Sequence, residues 1–171
     1  LSQLTHAVNG FSATELARRV GRGARSALGI HGFERGGLLG EGGKRHPDEI
    51  SPLVARLEFP SEWRVLLVMP NDRRGLSGDA ERAAFTRLTP MPTSLTETLC
   101  RIVLMELLPA AASADFSSAA AALQEFGQLN GSHFAPVQGG VFADSQMAEL
   151  ARWLTGQGCV GVALAQRGRH H

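Results

Sequence analysis

The sequence predicts an α+β fold in which helices pack against one face of an antiparallel sheet. Three observations carry this: a capped helix start at Phe11–Leu16, two short apolar runs at Leu53–Phe59 and Arg64–Met69, and helical patterning over much of the second half. The order is helix, glycine-rich segment, two strands, several helices, final strand.

At the first helix, Ser12 and Glu15 form a capping box, and Phe11 and Leu16 stand at the two positions of a hydrophobic staple. The helix runs through Leu16-Ala-Arg-Arg-Val20 and ends at Gly21. Nine glycines follow, at positions 21, 23, 29, 32, 36, 37, 40, 42 and 43. This stretch reads as too broken for a helix and too poor in polar bulk for a flexible linker. Leu53–Phe59 and Arg64–Met69 read as a hairpin closed by Pro60-Ser-Glu-Trp63. Helices are expected near 78–88, 94–112, 115–130 and 144–156, with a second capping box at Ser94/Glu97 and N-caps at Asp115 and Asp144. Val137–Phe142 reads as a short strand or turn, and Gly158–Ala165 as a buried final strand.

With 43% hydrophobic and 19% charged residues in a chain of 171, a buried core is within reach and a disordered tail is excluded. A balance of 17 Lys+Arg against 16 Asp+Glu leaves no global field that favours nucleic acid or a membrane surface. Cys100 and Cys159 lie far apart and form neither a ligand pair nor a disulfide framework, so a reducing cytoplasm is expected. No apolar run approaches the roughly 18–20 residues of a membrane span. Leu1, Leu4 and Val8 fall at helical spacing, and the final strand leads into Gln-Arg-Gly-Arg-His-His; neither end reads as a domain end, and a fragment is expected.

Three clusters hold residues suited to chemistry. Arg18, Arg22 and Arg25 recur at i, i+4 and i+7 and lead into the glycine-rich segment, with Arg35, Lys44 and Arg45 downstream. Guanidinium forks bind phosphate and carboxylate in bidentate fashion, so this stripe suits a phosphorylated substrate; a solvated helix face is the alternative. In Ser26–Gly37, His31 and Glu34 offer a base and an acid among glycines that admit close backbone approach, or the glycines simply serve turns. Ser132–Gly140 places His133 and Gln138 beside Gly139-Gly140, as a substrate wall or an ordinary loop. Gly75-Leu-Ser-Gly78 resembles a helix N-terminal anion site, with Ser77 as a plain N-cap the alternative. Walker A, CxxC, HExxH and GxSxG motifs are absent, and His46, His170 and His171 form no metal set.

Taken together, Glu15-Leu-Ala-Arg-Arg-Val-Gly-Arg-Gly-Ala-Arg-Ser-Ala-Leu-Gly-Ile-His-Gly-Phe-Glu-Arg-Gly-Gly37 resembles the β-ribofuranosylaminobenzene 5′-phosphate synthases, a branch of the GHMP kinase superfamily. Phe59–Pro70, Gly75–Phe85, Thr98–Met105 and Phe134–Gly140 are similar to that family too. The resemblance implies a GHMP-kinase-like C-terminal part without its N-terminal domain: residues 1–50 close that first domain and carry the glycine-rich active-site segment, and 51–171 form the α+β C-terminal domain with its last strand truncated. It further implies transfer of a ribosyl phosphate from 5-phosphoribosyl 1-diphosphate to 4-hydroxybenzoate, with Mg²⁺ on the diphosphate, in tetrahydromethanopterin biosynthesis. A homodimer is expected by the same analogy.

Where the superfamily's kinases carry an aspartate base, alignment on Gly29 and Gly36-Gly37 places His31, which argues against phosphoryl transfer to an alcohol. His31 is therefore the expected acid/base or anion-orienting group, with Glu34 as its nearest candidate partner. Arg18, Arg22, Arg25, Ser26, Gly36, Gly37, Gln138, Gly139 and Gly140 are the expected substrate and phosphate contacts. The phosphate loop and the family's C-terminal loop are missing from this stretch, so the fragment alone is expected to be inactive. A GHMP-type kinase and a non-catalytic binding or dimerisation module are the alternatives.

Overall fold

A computed structural model of the chain describes residues 10–24, 26–68, 83, 86–138, 140–142 and 145–162. The chain divides into two compact units, Leu1–Glu62 and Trp63–His171.

The first unit opens on helix α1, Ala13–Arg19, with the expected capping box: Ser12 Oγ accepts from Glu15 N at 3.2 Å, and Glu15 Oε2 accepts from Ser12 N at 2.8 Å. Hydrogen bonds from the Ser12 backbone and hydroxyl hold the Glu15 carboxyl below the ordinary carboxylate range. Helix α2, Leu28–Arg35, and strand β1, Leu38–Glu41, then occupy the stretch whose glycine spacing argued against a helix. Gly29 and Gly32 each disfavour a helix by about 1 kcal/mol relative to alanine. Tertiary structure outweighs that, because α2 packs on both α1 and β1.

Strand β2, Leu53–Leu57, pairs antiparallel with β1 in the register Leu38–Leu57, Leu39–Arg56 and Gly40–Ala55, with an irregularity between Gly40 and Glu41. The partner of β2 is thus the short glycine-bearing segment upstream, and the hairpin expected with Arg64–Met69 does not form; residues 64–68 carry no ladder. Along β2, Leu53, Ala55 and Leu57 are half-buried while Val54 and Arg56 are exposed, the period of two that a one-sided sheet requires. Gly36 and Gly37 link α2 to β1 at φ +58° and +87°. A Cβ on Gly37 would stand 2.5 Å from the Leu57 carbonyl oxygen, so glycine is required for the two strands to approach here.

In the second unit, helix α3 (Thr93–Ile102), a wide π turn (Val103–Leu107) and helix α4 (Leu108–Ala112) run on without a break, matching the helix expected over 94–112. Pro109 explains the wide turn: it has no N–H for the carbonyl four residues back, and its ring crowds that carbonyl. The Leu108 N–H reaches back five residues to Val103 O instead. Helix α5, Phe116–Gln138, starts at Asp115 as expected, with Asp115 Oδ1 accepting from Ser118 N at 3.1 Å. Hydrogen bonds from the Ser118 side chain and backbone hold the Asp115 carboxyl below its ordinary value. Helix α5 packs on α3, the wide turn and α4, and Ile102, Leu99, Leu107, Ala110, Ala111, Ala119, Ala120 and Ala122 are buried in this unit. Helix α6, Ser145–Gly156, follows.

Three local expectations are corrected. The Ser94/Glu97 box is absent because α3 starts at Thr93 with Pro92 as its N-cap, which puts Ser94 inside the first turn. The strand or turn at Val137–Phe142 gives way to α5, which continues through Pro136 to Gln138 before a bend at 140–142. Residues 159–162 carry no strand. The remainder of that final strand, most of the helix near 78–88, Asp144 and Gly75–Gly78 lie outside the described residues. Among the described residues no helix is long and apolar enough to cross a membrane.

Two outcomes follow from these contacts. Gly37→Ala is expected to cost about 2–4 kcal/mol in chemical denaturation, through backbone strain and the clash with Leu57. Gly43→Ala, at a position with open space around it, is expected to stay within about 0.5 kcal/mol of the wild type. Asp115→Ala is expected to lower Tm at neutral pH. Because the folded Asp115 carboxyl is held low, its contribution is complete above the unfolded value near pH ~4 and fades as pH falls through the lowered folded value. The Tm gap between the two proteins is therefore expected to close on acidification.

Candidate functional site

The cations and glycines that follow Arg18 become, in the first unit, a helix end, a loop and a second helix start. Arg18 is exposed in the last turn of α1, where a cation complements the helix dipole. Arg19 lies over Phe11 with its guanidinium carbon 3.8 Å from the ring centre. The chain reverses at Gly21, φ +68°, with Gly21 N donating to Arg18 O at 3.1 Å and Arg22 N to Ala17 O at 2.8 Å. Arg22 and Ser26 are exposed, and Ser26 Oγ accepts from Leu28 N at 3.3 Å. Arg25 lies outside the described residues.

This loop is held from the end of β1 and the connection after it. Glu41 Oε2 accepts from Ala27 N at 2.5 Å, while Lys44 Nζ donates to Gly23 O at 2.7 Å and Ala24 O at 2.5 Å. Gly23 takes φ +81° and sits against Ile30 and Ile50, where a Cβ would come within 3.1 and 3.3 Å. Sequence reasoning gave Glu41 no role and Lys44 only a general one. The usable signal was the glycine content itself: a stretch with few side chains must have its N–H and C=O groups paired from outside, and an acid and an amine flank Gly42-Gly43.

His31 is 8% exposed, and its Nε2 lies 2.8 Å from the carbonyl oxygen of Ser51, a residue 4% exposed. A carbonyl only accepts, so Nε2 carries a proton and donates it to this bond. Glu34 Oε1 accepts from Ala13 N, the first helical amide of α1, at 2.7 Å. Glu34 thus turns toward α1 rather than toward His31, and each side chain ties α2 to a different neighbour. Arg56 closes the other end of α2, donating from Nε and Nη2 to Arg35 O at 3.2 and 3.0 Å.

Arg18, Arg22, Ser26, His31, Glu34, Gly36 and Gly37 therefore share the first unit, with the two glycines serving the turn into β1. Gln138 ends α5 and Gly140 follows at φ +153° in the second unit; Gly139 lies outside the described residues. His133 meets Phe134 edge-on, with ring centres 5.2 Å apart. The second unit also holds an open groove of about 490 Å³ lined by Met105, Glu106, Pro109, Ser113, Asp115 and Glu125. Three carboxylates make that groove unfavourable for a phosphate. Among the described residues no group of three or more His, Cys, Asp or Glu side chains is placed to hold a metal ion.

No family model matches the chain. Three relatives share one name, β-ribofuranosylphenol 5′-phosphate synthase. The protein from Methanothermobacter thermautotrophicus is 34% identical over 120 residues, covering 63% of this chain and 36% of the relative. That from Archaeoglobus fulgidus is 34% identical over 131 residues, covering 70% and 41%. That from Methanocaldococcus jannaschii is 30% identical over 116 residues, covering 58% and 34%. All three relatives are synthases by name. Over the matched residues the chain is a relative of the β-ribofuranosylphenol 5′-phosphate synthases, and these matches span little more than a third of such a protein's length. Their name carries a phenol where the sequence resemblance gave an aminobenzene.

Removal of the His31 ring leaves the Ser51 carbonyl unpaired in a buried place. His31→Ala is expected to cost about 1–3 kcal/mol in denaturant titration, whereas Glu34→Gln keeps an acceptor for Ala13 N and is expected to cost about 0.5 kcal/mol or less.

Proposed function

We propose that this chain is part of a synthase that joins 5-phosphoribosyl 1-diphosphate to 4-hydroxybenzoate, releasing diphosphate and CO₂, in tetrahydromethanopterin biosynthesis. The observation that supports the reading is the match to three synthases named for a ribofuranosylphenol phosphate. A phenol that bears the sugar where the carboxylate stood is what this reaction leaves.

The bond from ribose C1 to the diphosphate oxygen breaks, and its electron pair leaves with diphosphate. The ring carbon that bears the carboxylate attacks C1, and loss of CO₂ returns a bonding pair to the ring. The charge that develops on the sugar is oxocarbenium-like, so the protein's tasks are to hold the phosphates, orient the carboxylate and stabilise developing charge. Arg18, Arg22, Arg25 and Ser26 are the proposed anion contacts of this chain, since guanidinium forks match phosphate oxygens. Gln138, Gly139 and Gly140 are the proposed substrate wall. His31, its Nε2 engaged at the Ser51 carbonyl, is the proposed anion-orienting or acid/base group; Glu34, bonded to Ala13 N, is assigned to the framework. Mg²⁺ is proposed to arrive with the diphosphate, where it would offset the charge of the leaving group.

The GHMP-like architecture and a homodimer belong to the same proposal, by the resemblance of residues 15–37. The exposed free thiols of Cys100 and Cys159 suit a reducing cytoplasm. Since the matched residues span little more than a third of the relatives, the activity is assigned to a longer protein and this stretch alone is proposed to be inactive.

The test is to supply a full-length protein containing this sequence with phosphoribosyl diphosphate, 4-hydroxybenzoate and Mg²⁺. Equal yields of CO₂ and diphosphate are expected; ADP formed from ATP with a hydroxylated acceptor, and no CO₂, would replace this reading with phosphoryl transfer. Arg22→Ala is expected to raise the KM for phosphoribosyl diphosphate at least about ten-fold, as loss of a charge-assisted hydrogen bond does.

A further inference from the structure

We propose that Glu41 and Lys44 are positioning residues for the anion site, fixing the loop over residues 22–27 in the shape that presents Arg22 and Ser26 to a phosphate or diphosphate group. This rests on the reading of that loop as the phosphate contact, and it assigns the work of shaping it to two side chains that need not touch the substrate.

The argument is geometric. Glu41 and Lys44 stand on either side of Gly42-Gly43 and engage the loop at both ends: the amine takes the carbonyls of Gly23 and Ala24, and the carboxylate takes the amide of Ala27. Ser26 lies between those anchors, and Arg22 directly precedes the first of them. Gly21 and Gly23 both adopt positive φ, so the backbone there has little conformational preference of its own and takes the shape its partners impose. A loop so poor in intrinsic preference binds weakly unless it is ordered beforehand, because ordering then has to occur on binding.

The sign of the Glu41 effect separates positioning from charge. A carboxylate beside an anion site opposes binding electrostatically, so charge alone predicts that its removal tightens binding. Positioning predicts the reverse.

The experiment measures the affinity of a full-length protein containing this sequence for inorganic diphosphate by calorimetry. Glu41→Ala is expected to weaken binding at least about ten-fold, while Glu41→Gln, which keeps an oxygen for the Ala27 amide, binds like the wild type. Hydrogen exchange across residues 20–28 is expected to rise in Glu41→Ala and not in Glu41→Gln. If Glu41→Ala does not fold, Lys44→Met serves instead: weakened binding together with raised hydrogen exchange across residues 20–28 supports the proposal, and unchanged affinity, or weakened binding with unchanged exchange, overturns it. Glu41→Ala binding as tightly as the wild type or more tightly, while Arg22→Ala weakens binding, overturns the positioning role and leaves the anion site standing. Unchanged affinity in Arg22→Ala, or no binding by the wild type, overturns the anion reading and this proposal with it.

Discussion

A glycine-rich chain has as many backbone donors and acceptors as any other and few side chains of its own to pair with them, and the first unit is organised around that constraint. Between Gly23 and Arg35 the groups left over at the loop and at the ends of α2 are met by side chains from elsewhere in the unit. Lys44 takes two carbonyls, Glu41 an amide and Arg56 the carbonyl of Arg35. In return α2 supplies His31 to the Ser51 carbonyl and Glu34 to the first amide of α1. Charged partners suit this task, since a charge-assisted hydrogen bond is roughly twice as strong as a neutral one. The two-stranded hairpin would be marginal by itself; these bonds and the packing of α2 on β1 join it to the helices.

The second unit answers a different problem. Its helices bury alanines at positions 110, 111, 119, 120 and 122, and small side chains contribute little apolar area each. Stability there comes from close approach along a long helix rather than from a few large residues, with Ile102 as the one large side chain fully enclosed among the described residues. Pro109 interrupts the regular ladder, and the π turn absorbs it within a run that stays helical from Thr93 to Ala112.

How far the sequence was legible follows from which residues carry local information. The capping box at Ser12/Glu15 and the Asp115 N-cap were readable because a cap and its helix lie within a few residues of each other. Helix α2 and strand β1 were not, because Gly29, Gly32 and Gly40 argue locally against them and the bonds that form them come from residues 41, 44, 51 and 56. The hairpin went to the wrong partner for a related reason: Val65-Leu-Leu-Val68 has more strand character than Leu38-Leu-Gly-Glu41, yet register was decided by the Gly37 approach to Leu57. At the candidate site the arginines could be read from their spacing, whereas the orientation of Glu34 could not. Residues 31 and 34 share a helical face, and that face meets α1 and the Ser51 segment.

This accounting also bears on what the first unit contributes to the proposed reaction. An acid/base role for His31, with Glu34 as its partner, was read from the alignment that places His31 where the superfamily's kinases carry an aspartate. In the proposed reaction CO₂ departs in place of the proton that substitution on an aromatic ring ordinarily loses, and diphosphate departs as an anion that cations and Mg²⁺ stabilise without protonation. Atoms and charge balance with no obligatory proton transfer, so the engagement of Glu34 at α1 and of His31 Nε2 at Ser51 takes nothing the chemistry requires. What the reaction does require is a fixed array of positive charge around a leaving diphosphate, because preorganised charge need not reorganise at the moment of bond cleavage. In the proposed assignment that charge comes from Arg18, in the last turn of α1, and from Arg22, which directly precedes the Gly23 and Ala24 carbonyls that Lys44 pairs.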